Sequence, residues 1–544
     1  MTATEVPSDW DEECDVLVAG SGGGALTGAL SAAGRGMDTL VAEKTAYYGG
    51  TTAYAGACLW LPGNRAQERA GLADSAQLAR TYFRAVVGDT SPHALQDAYL
   101  DHAGALVEEM EGHPDLRFEH RPFPDYFPAP GRFARGRGVF PVDLPEPEDT
   151  DTLLGAVRPA ARRERLGVAP TREPLTDGRA LIGRLLLALR RTGRARCRLH
   201  TCLTRLVTGE DGAVLGAKLL VCPPGGESRV LRVRARRGVL LAAGGFEASA
   251  QLRRAWQGMP GADWTMGAPG GNTGDAILAG LAAGGDTALL DQAWWCPSLL
   301  FPDGSANFTL GVRGGVFVDG TGRRFANESL PYDRMGRAMR EAGVGTEPAR
   351  PVWWVFDGRW GDEVPGIVTV PADRAALSAA GLWRSAGTVG ELAARTGIDR
   401  AGLSATVRDF NFAAATGTDT AFHRGEDPYD LFFADGAGPN PALTPLDRGP
   451  FHAVRLVLGD LGTKGGLRTD TRARVLRADG SVIPGLYATG NTMASPTGAA
   501  YPGPGAPIGS AMVFGRLAAV DMARGPNDHG PARHTGLRAE QEES

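Results

Sequence analysis

Apolar and polar positions along this chain follow two rhythms, one of period two and one near 3.6, with short apolar runs between them. Residues 15–19 (DVLVA) are such a run, closed by Gly20, and predict a buried parallel strand. A second strand is predicted at DTLVAE, which ends in Glu43, and a third within RGVLLAAGGFEAS, stopping at Ala243 and Gly244. Helical spacing predicts helices over DSAQLARTYFRAVVGD, SPHALQDAYLDHAGALVEEMEG and GRALIGRLLLALRRTG. The stretch CRLHTCLTRLVTGEDGAVLGAKLLV alternates and turns at Glu210, Asp211 and Gly212, which predicts an antiparallel β insertion. Small-residue helices are predicted at 272–285 (NTGDAILAGLAAGG) and from about Gly509.

Composition narrows the class. At 544 residues the chain is too long for one simple core, so two intertwined or sequential domains are expected. Hydrophobic content of 43% and charged content of 22% belong to an ordinary globular protein. A net charge of -5 gives no electrostatic basis for binding nucleic acid or an anionic membrane. Six cysteines contain no C-x-x-C pair and nine histidines show no metal spacing, so no metal site is expected. The N-terminus lacks an apolar signal core, and no apolar run reaches the roughly 18 residues of a membrane span. A cytoplasmic monomer is therefore expected, with residues 527–544 as a disordered tail.

The turn after the first strand adds chemistry. Gly20, Gly22 and Ala25 fit G-x-G-x-x-A, with Gly23 and Gly24 between them, at the entry to a helix of small residues. Such a turn lets a pyrophosphate sit against backbone N–H groups at the helix N-terminus. Glu43 follows Gly20 at the distance where an acid accepts hydrogen bonds from a ribose diol. A dinucleotide site is the reading.

The identity of the dinucleotide comes from resemblance. The segment KTAYYGGTTAYAGACLWLPGN, with Lys44, Gly50, Thr51, Thr52 and Ala57, resembles flavoproteins of the fumarate reductase and succinate dehydrogenase superfamily. So do the strand ending at Ala243 and Gly244, the Thr-Gly-Asp helix start at Asp275, and the closing segment with Gly490, Asn491, Pro507 and Ile508. The resemblance implies FAD, and residues 45–64 contain no histidine for a covalent link, so binding should be non-covalent. The fold expected is α/β: a Rossmann-like FAD-binding domain of residues 1–290 and 455–526, interrupted by a smaller α+β catalytic domain at 291–454 that caps it.

Fumarate reductases carry an Arg-Asp pair shortly after the Asn-Glu of this segment, where this chain has Tyr332 and Asp333. They also carry a substrate histidine before a Gly-Gly that LVLGDLGTKGGL lacks. A dicarboxylate needs cations for both carboxylates, so that chemistry is disfavoured. Over nearly its full length the chain resembles instead the 3-ketosteroid Δ1-dehydrogenases of steroid-degrading bacteria. The shared stretches include FPDYF, LLDQAWWCP, NESLPYD, FHRGEDPYD, LGTKGGL and YPGPG. The resemblance implies 1,2-desaturation of a 3-ketosteroid A ring, with an unidentified electron acceptor. Tyr501 and the Gly505 N–H would bind the 3-keto oxygen, and Tyr332, aided by a hydrogen bond from Tyr126, would remove the C2 proton. The C1 hydride would pass to flavin N5. Rival readings are a flavin dehydrogenase of another ketosteroid position or cyclic ketone, a dicarboxylate reductase, and a flavin electron carrier.

These roles make physical demands. The C2 proton is removable only if the developing enolate oxygen meets preorganised donors. In YPGPG, Pro502 and Pro504 lack N–H groups and restrict φ, while Gly503 and Gly505 would let backbone approach a planar ring. A phenol is a weak base near neutral pH, so Tyr332 needs help to ionise. Trp294, Trp295, Phe301 and Trp354 are open to two readings, core packing or the lining of a flat apolar slot.

Overall fold

A run such as Val16–Ala19, apolar on both faces, suits an interior strand of a parallel sheet covered above and below, and the computed structural model pairs it on both edges. The model describes residues 9–145, 151–165, 167–168, 173–347 and 349–524; the expected tail at 527–544 lies outside them. Strand Glu12–Ala19 pairs in parallel with Thr39–Ala42 on one side and Arg229–Leu241 on the other. Val482–Ala488 extends the sheet beyond Arg229–Leu241, again in parallel.

A parallel pair needs a crossover, and the helix Gly23–Gly34 supplies the first. That helix is made of small residues because another helix, Ala506–Arg524, lies directly against it. A Cβ on Gly24 would sit 2.8 Å from the Ala511 carbonyl oxygen, and one on Gly515 would sit 2.3 Å from the Gly24 carbonyl oxygen. The C-terminal helix begins at Ala506, three residues before the expected Gly509. Pro507 is tolerated there because the first-turn N–H groups of a helix have no intrahelical acceptor.

The antiparallel insertion is present as Thr201–Thr208 and Val214–Val221, the latter pairing onto the first half of Arg229–Leu241. Its expected opening residues belong elsewhere. Ala195–Arg198 is a parallel edge strand on Thr39–Ala42, delivered there by the helix Asp177–Arg191. His200, at φ 52°, turns the chain before the insertion starts.

The second sheet is antiparallel throughout. Its order is Val316–Val318, Val352–Asp357, Phe451–Thr463, Ala293–Leu300, Ala306–Leu310 and Ile367–Val368, with Trp383–Ala386 also on Phe451–Thr463. The strand Phe451–Thr463 crosses the expected boundary between 454 and 455, so this sheet continues to Thr463. Trp295, Trp354 and Trp383 fill one core on it, with Phe301 packed against them. Among the described residues no helix is long and apolar enough to cross a membrane.

Gly515→Val should force the two glycine-faced helices apart. Overpacking of this kind costs about 1–3 kcal/mol, and a backbone clash puts this site at the upper end. Thermal unfolding followed by circular dichroism should show a lowered midpoint; an unchanged midpoint would contradict the contact.

Candidate active site

The C-terminal ends of the parallel strands converge on one cavity of about 420 Å³. Every residue expected at the dinucleotide lines it: Gly20, Gly22, Gly23, Gly24, Ala25, Glu43, Lys44, Gly50, Thr51, Thr52, Ala57, Ala243, Gly244, Asp275, Gly490, Asn491, Pro507 and Ile508. Gly20 sits at φ 109°, and a Cβ there would meet the Ala242 carbonyl oxygen at 2.3 Å, so the tight turn requires glycine. Thr52 also caps the helix across the loop, its Oγ1 accepting the Gly23 N–H at 3.1 Å. Glu43 is fixed by donors on both oxygens, Ser21 Oγ at 2.5 Å and the Thr45 N–H and hydroxyl at 2.8 Å. Lys44 pairs with Asp275 at 2.8 Å and donates to Thr273. Thr51 Oγ1 accepts from the Ala268 N–H and from Asn272. A glycine-lined turn, a free helix end and a fixed acid make a cradle suited to an adenine dinucleotide.

Beside this cradle lies a cluster of phenols. The Tyr332 hydroxyl donates to the Tyr501 oxygen at 2.8 Å, and the Gly505 N–H points to the same oxygen at 3.4 Å. Tyr332, Tyr501 and Gly505 line the cavity, whereas Tyr126 is fully buried just behind it. The Tyr126 ring meets Tyr332 and Tyr501 edge-on, with centroids 5.6 and 5.3 Å apart. Its hydroxyl makes no hydrogen bond of good geometry but lies close enough to act on Tyr332, whose own proton is directed to Tyr501. Burial holds the Tyr332 phenol well above its ordinary value, and the Tyr501 oxygen adds to this, while Tyr126 pulls the other way. Tyr429, whose ring is 5.4 Å from Tyr126, is a fourth buried phenol in the cluster and, after Tyr126, the second of them without a hydrogen-bond partner.

Two loops hold the cluster. The Tyr126 N–H donates to the Pro502 carbonyl at 3.0 Å, and so does the Tyr82 hydroxyl. Tyr82 also accepts the Phe127 N–H at 3.1 Å, so one phenol ties the Tyr126 loop to the loop of Tyr501. Asp125 accepts from the Trp60 indole at 2.8 Å and the Phe133 N–H at 3.1 Å, and pairs with the buried Arg137. Burial outweighs that guanidinium and lifts the Asp125 carboxyl to about 6. The glycines of YPGPG also meet protein neighbours that local sequence does not reveal. A Cβ on Gly503 would strike Trp60 at 2.5 Å, and one on Gly505, at φ 84°, would strike the Cys58 carbonyl oxygen at 1.9 Å. Glycine is required there by the protein wall.

Phe123, Phe140, Phe308 and Leu310 give the cavity an apolar side that reaches Tyr332 and Tyr501. The tryptophans do not line it: Trp295 and Trp354 are core, and Trp294 packs against Tyr501 with centroids 4.9 Å apart. Sequence reasoning missed Tyr82, because on an amphipathic helix it is indistinguishable from a packing residue. Tyr429 lies in FHRGEDPYD, a stretch that signalled family but not role.

A glycine-turn parallel sheet joined to an antiparallel sheet, with its cradle opening onto an apolar slot, defines a dinucleotide-binding protein. A model described as an FAD binding domain matches residues 15–508. A 3-oxosteroid 1-dehydrogenase of Rhodococcus opacus is 42% identical over 95% of this chain and 100% of its own length. The 4-oxocyclohex-2-ene-1-carboxylate 5-dehydrogenase of Sinomonas cyclohexanicum is 34% identical over 94% of both chains. The crystal structure of 3-ketosteroid Δ1-dehydrogenase from Sterolibacterium denitrificans, in complex with 1,4-androstadiene-3,17-dione, superposes with a TM-score of 0.84. It is 32% identical and is matched over 94% of this chain and 100% of that one. The chain belongs to the FAD-dependent 3-oxosteroid 1-dehydrogenase family.

Tyr82→Phe should leave the Phe127 N–H without its acceptor and the Pro502 carbonyl with one donor fewer. Removing one partner of a buried hydrogen bond costs about 1–3 kcal/mol. The expected result is a lower unfolding midpoint with FAD still bound, since Tyr82 lies outside the cavity. Loss of the flavin absorbance instead would show that the loop tie also shapes the cradle.

Proposed function

We propose that this protein removes the C1 and C2 hydrogens from the A ring of a 3-ketosteroid, using non-covalent FAD. The observation that carries the reading is the meeting of the Tyr332 hydroxyl and the Gly505 N–H on one phenol oxygen, that of Tyr501, at the apolar end of the cradle. A ketone oxygen placed beside Tyr501 and Gly505 would accept from the Tyr501 hydroxyl and the Gly505 N–H, which lie 3.4 Å apart and can therefore serve one acceptor together. They stabilise the enolate charge as it develops, once the ketone oxygen replaces the contacts now made to the Tyr501 oxygen. Tyr332, whose hydroxyl lies 2.8 Å from the Tyr501 oxygen, then takes the C2 proton as its phenolate. FAD supplies the acceptor for the hydride that leaves C1.

Tyr126 supports Tyr332 from behind: its unpartnered hydroxyl is free to donate once Tyr332 turns from Tyr501 toward substrate. The walls of Phe123, Phe140, Phe308 and Leu310 suit a flat hydrocarbon. They also exclude water, which strengthens each hydrogen bond to the ketone oxygen. The second sheet, which contributes Phe308 and Leu310, forms the cap over the slot. The reoxidant that turns the flavin over is an external acceptor of unidentified class.

Anaerobic mixing with 4-androstene-3,17-dione tests the reading. Bleaching of the flavin with appearance of the 1,4-diene is expected. A flavin that stays oxidised with the steroid but bleaches with a cyclohexanone carboxylate would move the substrate to the other ketone class. Tyr332→Phe should lower kcat by roughly 10²–10⁴-fold, the usual contribution of a positioned base.

The pH dependence has a definite sign. Tyr332 is held above its ordinary value and must lose its proton to act. The active fraction therefore grows as pH rises, and kcat/KM should climb from about pH 6 to about pH 9. A profile that falls over that range would exclude a phenol base.

A further inference from the structure

Lys464 is a fully buried cation that the reaction as derived leaves without a role. It stands at the end of the long strand Phe451–Thr463, with its backbone fixed on both sides: its N–H donates to the Gln292 carbonyl and its own carbonyl accepts from Ser495. The ammonium donates to the Ala500 carbonyl at 2.5 Å and the Ala499 carbonyl at 3.1 Å. Those are the two residues immediately before Tyr501. Its Nζ also lies 3.8 Å from the centroid of the Trp294 ring. That ring in turn packs on the Tyr501 ring, at 4.9 Å and 68°.

Burying an ammonium is costly unless its donors are used, and here they are used on the segment that leads into Tyr501. Burial pushes the Lys464 amine well below its ordinary value, Arg337 adds to this, and Asp333 opposes it. Arg337 binds the Ala499 carbonyl as well and pairs with Asp333 at 2.9 Å. Thr497 Oγ1 shares the Ala500 carbonyl at 2.9 Å. Lys464 differs from these two in touching both the backbone before Tyr501 and the ring that Tyr501 packs on. Neither contact reaches the cavity, since Lys464 and Trp294 are not among its lining residues.

We propose that Lys464 is a positioning residue for Tyr501, setting the direction of its hydroxyl through the Ala499 and Ala500 carbonyls and the Trp294 ring. The inference rests on Tyr501 being the group that binds the ketone. A phenol aimed wrongly by about 1 Å can lose on the order of a hundredfold in rate.

The test is a double-mutant cycle of Lys464→Met and Tyr501→Phe on the FAD-loaded protein, with 4-androstene-3,17-dione as substrate. K464M should lower kcat roughly ten- to a hundredfold, with little change in KM and an unchanged flavin spectrum. The double variant should be no slower than Y501F alone, because Lys464 acts only through the hydroxyl that Y501F removes. Losses that multiply, or a K464M enzyme at the wild-type kcat, would overturn the proposal. A Y501F enzyme at the wild-type rate would instead overturn the assignment of Tyr501 to the ketone, and the positioning role with it. Should K464M fail to load FAD, the cycle is run with Lys464→Gln, whose amide keeps donors for the two carbonyls but loses the contact over Trp294. Its kcat should then fall by less than about tenfold, and the loss should vanish on the Y501F background; losses that multiply would overturn the proposal.

Discussion

The carbonyl of Pro502 accepts two hydrogen bonds, from the Tyr126 N–H and the Tyr82 hydroxyl, and the site is organised around that double acceptance. Proline cannot donate, so the loop enters the contact only as an acceptor, with φ restricted. Its partners come from distant parts of the chain, a helix at Ala76–Val87 and the loop carrying Tyr126. Because Tyr82 also binds the Phe127 N–H, neither loop can shift without breaking a bond in the other. The phenols meet because their backbones are locked first.

The same logic explains the buried charges around the cluster. Arg137 is wholly buried between Asp74 and Asp125, and Asp125 in turn orients Trp60. Trp60 is the wall against which Gly503 is pressed. An isolated buried pair adds little stability over apolar side chains of the same shape. Its value here is directional, since guanidinium and carboxylate geometry fixes the ring on which the YPGPG loop rests.

How much of this was legible in the sequence depends on whether the determining contacts were local. Gly20, Gly22 and Glu43 could be read because strand, turn and acid lie in one short span, and backbone chemistry alone sets their spacing. The three parallel strands followed from uninterrupted apolar runs. The strand Ala195–Arg198 did not, because its parallel pairing is decided by the preceding helix rather than by its own pattern. Tyr332, Tyr501 and Gly505 came from resemblance, and the structure sets the Tyr332 hydroxyl and the Gly505 N–H each within hydrogen-bonding reach of the Tyr501 oxygen. The sequence offered no sign that Gly503 and Gly505 are also pressed by Trp60 and Cys58, because those neighbours are far away in the chain. Tyr82 and Lys464 were invisible for the same reason: each acts on a backbone carbonyl that no local pattern connects to it.

A slot walled by Phe123, Phe140, Phe308 and Leu310 limits which polar groups can face it. A guanidinium in that position would need an anion from the substrate to offset its burial, as a dicarboxylate provides and a hydrocarbon does not. Phenols are neutral at rest, so they can be buried together at small cost, as the edge-on packing of Tyr126, Tyr332 and Tyr501 shows. In the proposed reaction, the dryness that would make two donors effective on a ketone oxygen also raises the Tyr332 phenol proposed as base. The arrangement answers both demands within one cluster. Tyr501 and Gly505 gain from low dielectric, and Tyr126, held without a partner of its own, is the donor that can lower the cost of ionising Tyr332. Apolar walls and phenolic chemistry are therefore one choice, and the cationic alternative of dicarboxylate enzymes belongs to a different slot.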